Sequence, residues 1–187
     1  TEATIFVNSL RNTGYSGDIV IATIDKPSDP DYMNILKHGK VIVYDLTSHC
    51  VESEGVGHKC SIGHSDTESY SVNMYRYFLY KWWSMMYSTG ALILLSDYTD
   101  VVFQSNPFTY KTKQWTPPRY DLAVFQEAFP NNMIYRSPYN SRWIQSCYTD
   151  EVYEEIAYNP VSCSGTTMGT RDAILVYVSE SCLVCVV

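Results

Sequence analysis

Five consecutive small or aliphatic residues, Ala91-Leu-Ile-Leu-Leu, run through Ser96 straight into Asp97, and a second acid, Asp100, follows three positions later. So short and continuous an apolar run predicts a buried strand that stops at Asp97. In open α/β sheets, ligands collect outside the carboxyl ends of such strands. Two acids at that point suit a divalent metal: magnesium or manganese takes carboxylate oxygens and leaves positions open for phosphate oxygens. The same residues also fit a plain strand end followed by an acid-capped turn.

Helix and strand signals alternate in the first half of the chain. Ile5, Phe6, Ser9 and Leu10 stand at helical spacing over residues 1–13, and Gly14 and Gly17 end that helix. Asp18 to Ile24 is the next strand. Pro27 to Pro30 form a turn, Asp29 or Asp31 caps a helix carrying Tyr32, Ile35 and Leu36, Gly39 closes it, and Lys40 to Tyr44 is again a strand. This order predicts βαβ units and an open, largely parallel sheet.

Residues 46–68 are expected to form a polar loop. It holds His49, Cys50, His58, Cys60 and His64, at spacings that match no common zinc site. Cys50 and Cys60 bracket a glycine-containing stretch and are the most plausible disulfide among the six cysteines, an even number that permits disulfides. Cys182-x-x-Cys185 stands without a second pair at zinc spacing. A long helix is expected from Thr67 to about Ser88, then the strand ending at Asp97, a turn over 103–108, and a polar excursion over 110–120. A strand over Asp121 to Phe125 follows, with Gln126-Glu127 at its end. Trp143, Ile144, Cys147, Val152, Tyr153 and Ile156 predict one broken helix or two short ones over 140–157, and a last helix starts near Thr170.

One domain is expected for 187 residues. A net charge of −7 without any basic run argues against a nucleic-acid partner. No window reaches the roughly 18–20 apolar residues of a membrane span.

The block Leu94-Leu-Ser-Asp97-Tyr-Thr-Asp100-Val-Val-Phe103-Gln-Ser-Asn-Pro107-Phe resembles the acidic metal block of nucleotide-diphospho-sugar transferases, glycosyltransferases of the GT-A fold. Two further blocks agree in order: Phe6 to Ile21 is similar to the family's first helix and second strand, and Asn159 to Thr170 to its small-residue loop beside the donor sugar. The resemblance implies a GT-A, Rossmann-like open sheet flanked by helices, spanning 1–187 as one domain truncated at both ends. It implies transfer of a sugar from a nucleotide sugar donor to a glycan, protein or lipid acceptor, with manganese or magnesium held by Asp97 and Asp100. The spacing departs from Asp-x-Asp, because Thr99 occupies the second acid's place.

For donor binding the resemblance points to Arg76 on the helix before the metal strand, for which a solvated surface arginine is the alternative, and to Asp97. It adds Ser164, Gly165 and Thr166, where glycine lets backbone approach a ligand and hydroxyls bind sugar hydroxyls. A simple strand-to-helix loop with a capping Thr is the other reading of that segment. Glu127 and Asp150 are candidate general bases, and spacing selects neither. The resemblance further implies a Golgi or secretory-lumen location, a signal anchor outside this chain, and, for residues 1–187 alone, weak donor binding or none and no transfer. The alternative function is an inactive sugar or sugar-nucleotide binding domain.

Overall fold

The computed structural model describes residues 2–24, 30–53, 57–61, 69–109 and 121–183. They group into two compact units, Thr1–Arg76 with Asp97–Lys113, and Tyr77–Ser96 with Gln114–Val187.

In the first unit, helix α1 (Glu2–Asn12) places Phe6, Val7 and Leu10 on one face, and these pack with Ile19 and Ile21 of strand β1 (Ile19–Thr23) and Leu36 of helix α2 (Pro30–His38). The crossover through α2 sets strand β2 (Val41–Asp45) parallel to β1, with Ile19 opposite Val41. Gly14, at φ +83°, ends α1 in a left-handed turn that a side chain would strain. Arg11 locks the same end: its Nε donates to Gly39 O (2.8 Å) and its Nη1 to Gly17 O (2.7 Å) and Tyr15 O (3.1 Å). The segment after Asp97 returns to this core. Phe103 meets Phe6 edge-on at 5.2 Å, and its N–H donates to Ser9 Oγ.

Strands β3 (Cys50–Ser53), β4 (Gly57–Ser61) and β5 (Ser69–Ser71) form an antiparallel meander, so much of the expected 46–68 loop is sheet. Ser61 N–H donates to His49 O, which makes Cys50 and Cys60 the next pair without ladder bonds, the position where opposing strands come closest. Their Cα atoms stand 4.0 Å apart and the disulfide expected from their spacing is formed. That bond consumes both thiols, so neither is free to ligate a metal. Helix α3 (Val72–Met85) follows β5, so the helix begins five residues after the expected Thr67. The 27–29 turn, the 110–120 excursion, His64 and the side chains of Asp31, Cys182 and Cys185 lie outside the described residues.

The second unit is built on strands β6 (Leu92–Ser96), β7 (Leu122–Gln126) and β8 (Ser162–Thr170), in the order β6-β8-β7. Strand β8 runs antiparallel to both neighbours. Helices α4 (Pro138–Cys147) and α5 (Asp150–Ile156) are the two short helices that the spacing allowed. Helix α6 (Arg171–Leu183) buries Ile174 and Val178 against Leu95 and Tyr77.

These sheets correct the expected GT-A architecture. Among the described residues the chain carries one short parallel pair and two small antiparallel sheets, not a large parallel twisted sheet. Helix-strand alternation specifies a parallel crossover only where a helix joins two neighbouring strands, as α2 does between β1 and β2. Elsewhere the direction is set by β8, a segment that Ser, Thr and Gly made look like a loop. Its β-branched threonines suit a pleated sheet, and Gly169 admits the neighbouring backbone: a Cβ there would stand 2.5 Å from Asp121 O. Asp97 accordingly follows a strand that is outermost among the described residues of its sheet.

Candidate functional site

Asp97 comes directly after the last residue of β6, where the apolar run predicts the strand to stop. Its Oδ1 accepts a 2.7 Å hydrogen bond from Nη1 of Arg76, the residue one turn into α3. The side chains are 45 % and 22 % exposed respectively, so the pair lies at the surface of the first unit with the guanidinium more deeply set. Two donor-site residues singled out in the sequence, 21 positions apart, are therefore partners in an ion pair. Arg76 keeps solvent contact and holds its ion pair at the surface.

Asp100 is exposed and adopts φ +57°. Left-handed backbone is costly for most side chains but tolerated by Asp and Asn. Asp100 thus shapes the turn that carries the chain away from Asp97. Asp97 and Asp100 carry the hard oxygen donors that magnesium or manganese takes. Among the described residues no three His, Cys, Asp or Glu side chains gather. The donor set fits a hard cation that completes its shell with phosphate oxygens and water, and not an all-protein cage.

Ser164, Gly165 and Thr166 belong to β8 in the second unit. Thr166 pairs with Ser96, the last residue of β6, while the ladder to β7 jumps from Val124↔Thr167 to Gln126↔Ser162. One residue of β7 is skipped where four residues of β8 intervene, so Cys163 to Thr166 bulge away from β7 at the carboxyl ends of β6 and β7. Bulges of this kind re-aim side chains and recur beside active sites. The small residues of this segment are what permits the excursion, and sequence reading found them under the wrong structural label.

Glu127 follows the last residue of β7 at the same end of the sheet. Its N–H donates to Val161 O (2.9 Å), and its Oε2 accepts from Asn132 Nδ2 (3.0 Å). Asn132 is a positioning partner that no spacing signal indicated. Asp150 is placed differently: it is exposed in the first turn of α5, where a carboxylate stabilises the helix N-terminus. Neighbouring Glu151 has its carboxyl held below the usual range, chiefly by a hydrogen bond from the Thr149 side chain.

No known protein family, characterised protein or solved structure matches this chain.

Proposed function

We propose that the chain is a glycosyltransferase domain that takes a sugar from a nucleotide-diphosphate donor, with Asp97 and Asp100 as ligands of a manganese or magnesium ion. The observation that carries the reading is the Arg76–Asp97 ion pair. A guanidinium held against a carboxylate is charge-balanced until a ligand arrives that offers both a partner. A metal-bound diphosphate does so, with phosphate oxygens for Arg76 and a hard cation for Asp97. The bound ion would supply Lewis-acid stabilisation of the departing diphosphate. The reading rests on this pair and the three sequence blocks, and it does not require a parallel sheet.

In the second unit, Ser164 and Thr166 carry hydroxyls that can bind sugar hydroxyls, Gly165 can let backbone approach a sugar, and Glu127, oriented by Asn132, is a carboxylate that can take a proton. The Cys50–Cys60 disulfide, together with disulfide-bonded Cys147, supports an oxidising compartment such as the Golgi or secretory lumen. Among the described residues no helix is long and apolar enough to cross a membrane.

A second reading, a sugar-nucleotide binding domain without turnover, is favoured by the placement of Asp150, whose carboxylate serves a helix end. Titration calorimetry with a panel of UDP- and GDP-sugars, with and without manganese, combined with a transfer assay, separates the two. Metal-dependent binding lost in Asp97→Asn and Arg76→Ala supports the shared donor site, and transfer abolished by Glu127→Gln supports the enzyme. Binding without transfer to any acceptor supports the second reading. Absence of donor binding by the wild type refutes both.

A further inference from the structure

The segment Phe129 to Tyr158 of the second unit displays its aromatic rings to solvent in ordered pairs. Tyr135 and Tyr158 stand with ring centroids 5.1 Å apart at a 45° tilt, and Tyr158 is 73 % exposed. The Arg136 guanidinium lies 5.5 Å from the Tyr135 ring centre, and its Nε donates to the Tyr135 hydroxyl (2.8 Å). One turn further, Tyr139 and Trp143, four positions apart on α4, hold their rings 6.0 Å from each other. Exposed rings held by neighbours offer large, stiff, amphipathic contact area at low entropic cost.

The backbone ties this platform to the proposed sugar-transfer end of the sheet. Tyr135 N–H donates to Ala157 O and Ile134 N–H to Asn159 O, which sets Tyr135 beside Tyr158. The same irregular ladder continues through Val161 N–H to Asn132 O and Glu127 N–H to Val161 O. Tyr158 precedes Ser162, the start of the bulged strand, by four residues, a reach of about 14 Å at most.

We propose that Tyr135 and Tyr158, with Arg136, form a stacking subsite for a neutral glycan, the acceptor of the transfer reaction. The word acceptor rests on the transferase reading; the subsite itself does not. A pyranose presents one face of C–H bonds, which packs on an aromatic ring, and a rim of hydroxyls, which needs planar polar side chains. Arg136, bonded to the Tyr135 hydroxyl, and the exposed Asn159, which follows Tyr158 in the chain, supply these. The net charge of −7 disfavours polyanionic chains.

The test is affinity electrophoresis of the whole chain, without donor or metal, through gels containing β-glucan, mannan, xylan or dextran. Tyr135→Ala, Tyr158→Ala and, as an exposed-aromatic control, Tyr148→Ala are run beside the wild type, and the same proteins are titrated separately with UDP and GDP in the presence of manganese. The expected result is retardation of the wild type and of Tyr148→Ala by at least one polysaccharide, with affinity lowered about tenfold in each of the other two variants. No retardation of the wild type by any polysaccharide, or equal retardation of Tyr158→Ala, overturns the proposal. So does loss of a wild-type dimer in sedimentation of Tyr158→Ala, which would make the rings a subunit interface. Glycan retention without nucleotide binding would leave the subsite standing and remove the transferase reading.

Discussion

Arg76 Nη1 donates to Asp97 Oδ1 at 2.7 Å, linking a helix residue to the position immediately after strand β6. Both groups retain solvent contact, so the pair is worth little to folding. A double-mutant cycle on Arg76→Ala and Asp97→Asn, followed by urea unfolding, is expected to give a coupling of about 0.5–1 kcal/mol at low ionic strength, shrinking as salt is added. Donor binding should respond far more. A coupling of several kcal/mol with unchanged ligand behaviour would assign the pair to structure alone.

The Cys50–Cys60 bridge closes a loop with a sequence separation of 10, and Cys60 is fully buried. Loop-closure entropy puts its contribution at about 2.5–3 kcal/mol. The Cys50→Ala/Cys60→Ala double variant should unfold at correspondingly lower urea concentration. The wild type should resist mild reductant until denaturant opens the meander, which thiol labelling over time measures.

Gly169 and Gly90 make a matched pair of substitutions. A Cβ on Gly169 would meet the Asp121 carbonyl oxygen at 2.5 Å, whereas nothing lies within 4 Å of one on Gly90. Gly169→Ala is expected to cost about 1–3 kcal/mol by forcing β7 away from β8. Gly90→Ala should be neutral or stabilise by about 0.4–1 kcal/mol through the unfolded chain. Equal melting temperatures for the two variants would contradict the close approach.

Thr167 is 1 % exposed, and among the described residues its buried Oγ1 has no hydrogen-bond partner. Leaving such a hydroxyl unsatisfied costs about 1–3 kcal/mol. Thr167→Val keeps the branched shape and removes the hydroxyl, so thermal unfolding should move up by roughly 2–4 °C for each kcal/mol recovered. A lower melting temperature would show that the hydroxyl has a partner.

Tyr15 stacks on Phe108 with ring centroids 5.0 Å apart, and its hydroxyl donates to Asp18 O. Burial raises its pKa above 10.0, Asp18 adds to the rise, and Arg11 partly opposes it. Tyr75 is raised by burial as well. The folded state thus binds more protons than the unfolded one above pH 10, so this stability is complete below that pH and declines as pH rises further. Unfolding monitored from pH 8 to 12 should show the decline. Tyr15→Phe should weaken it while losing the hydrogen bond to Asp18.

Apolar spacing made most elements legible: α1, β1, α2, β2, β6, β7 and α6 stand within a few residues of where Phe6, Ile19, Leu36, Val41, Leu95, Val124 and Ile174 place them. These are local signals. A helix or strand must turn its apolar side chains to one side wherever it is packed, and the period records that requirement. The Cys50–Cys60 pairing was legible for a related reason, since ten residues of separation with glycine between them bring two chain ends together in a hairpin as readily as in a loop.

What tertiary structure alone decided is which strands meet, and in which direction. Ser162 to Thr170 carries no apolar alternation, yet it becomes a strand between β6 and β7 because Thr167 and Met168 are buried there and Gly169 accommodates the Asp121 backbone. That insertion turned an expected parallel sheet into an antiparallel one. It also put Ser164 and Gly165 on a bulge rather than a loop. The meeting of Arg76 with Asp97 is of the same kind. Both residues announce charge in the sequence, but a pair formed across 21 positions depends on how α3 and the β6 exit are held, and periodicity does not encode that.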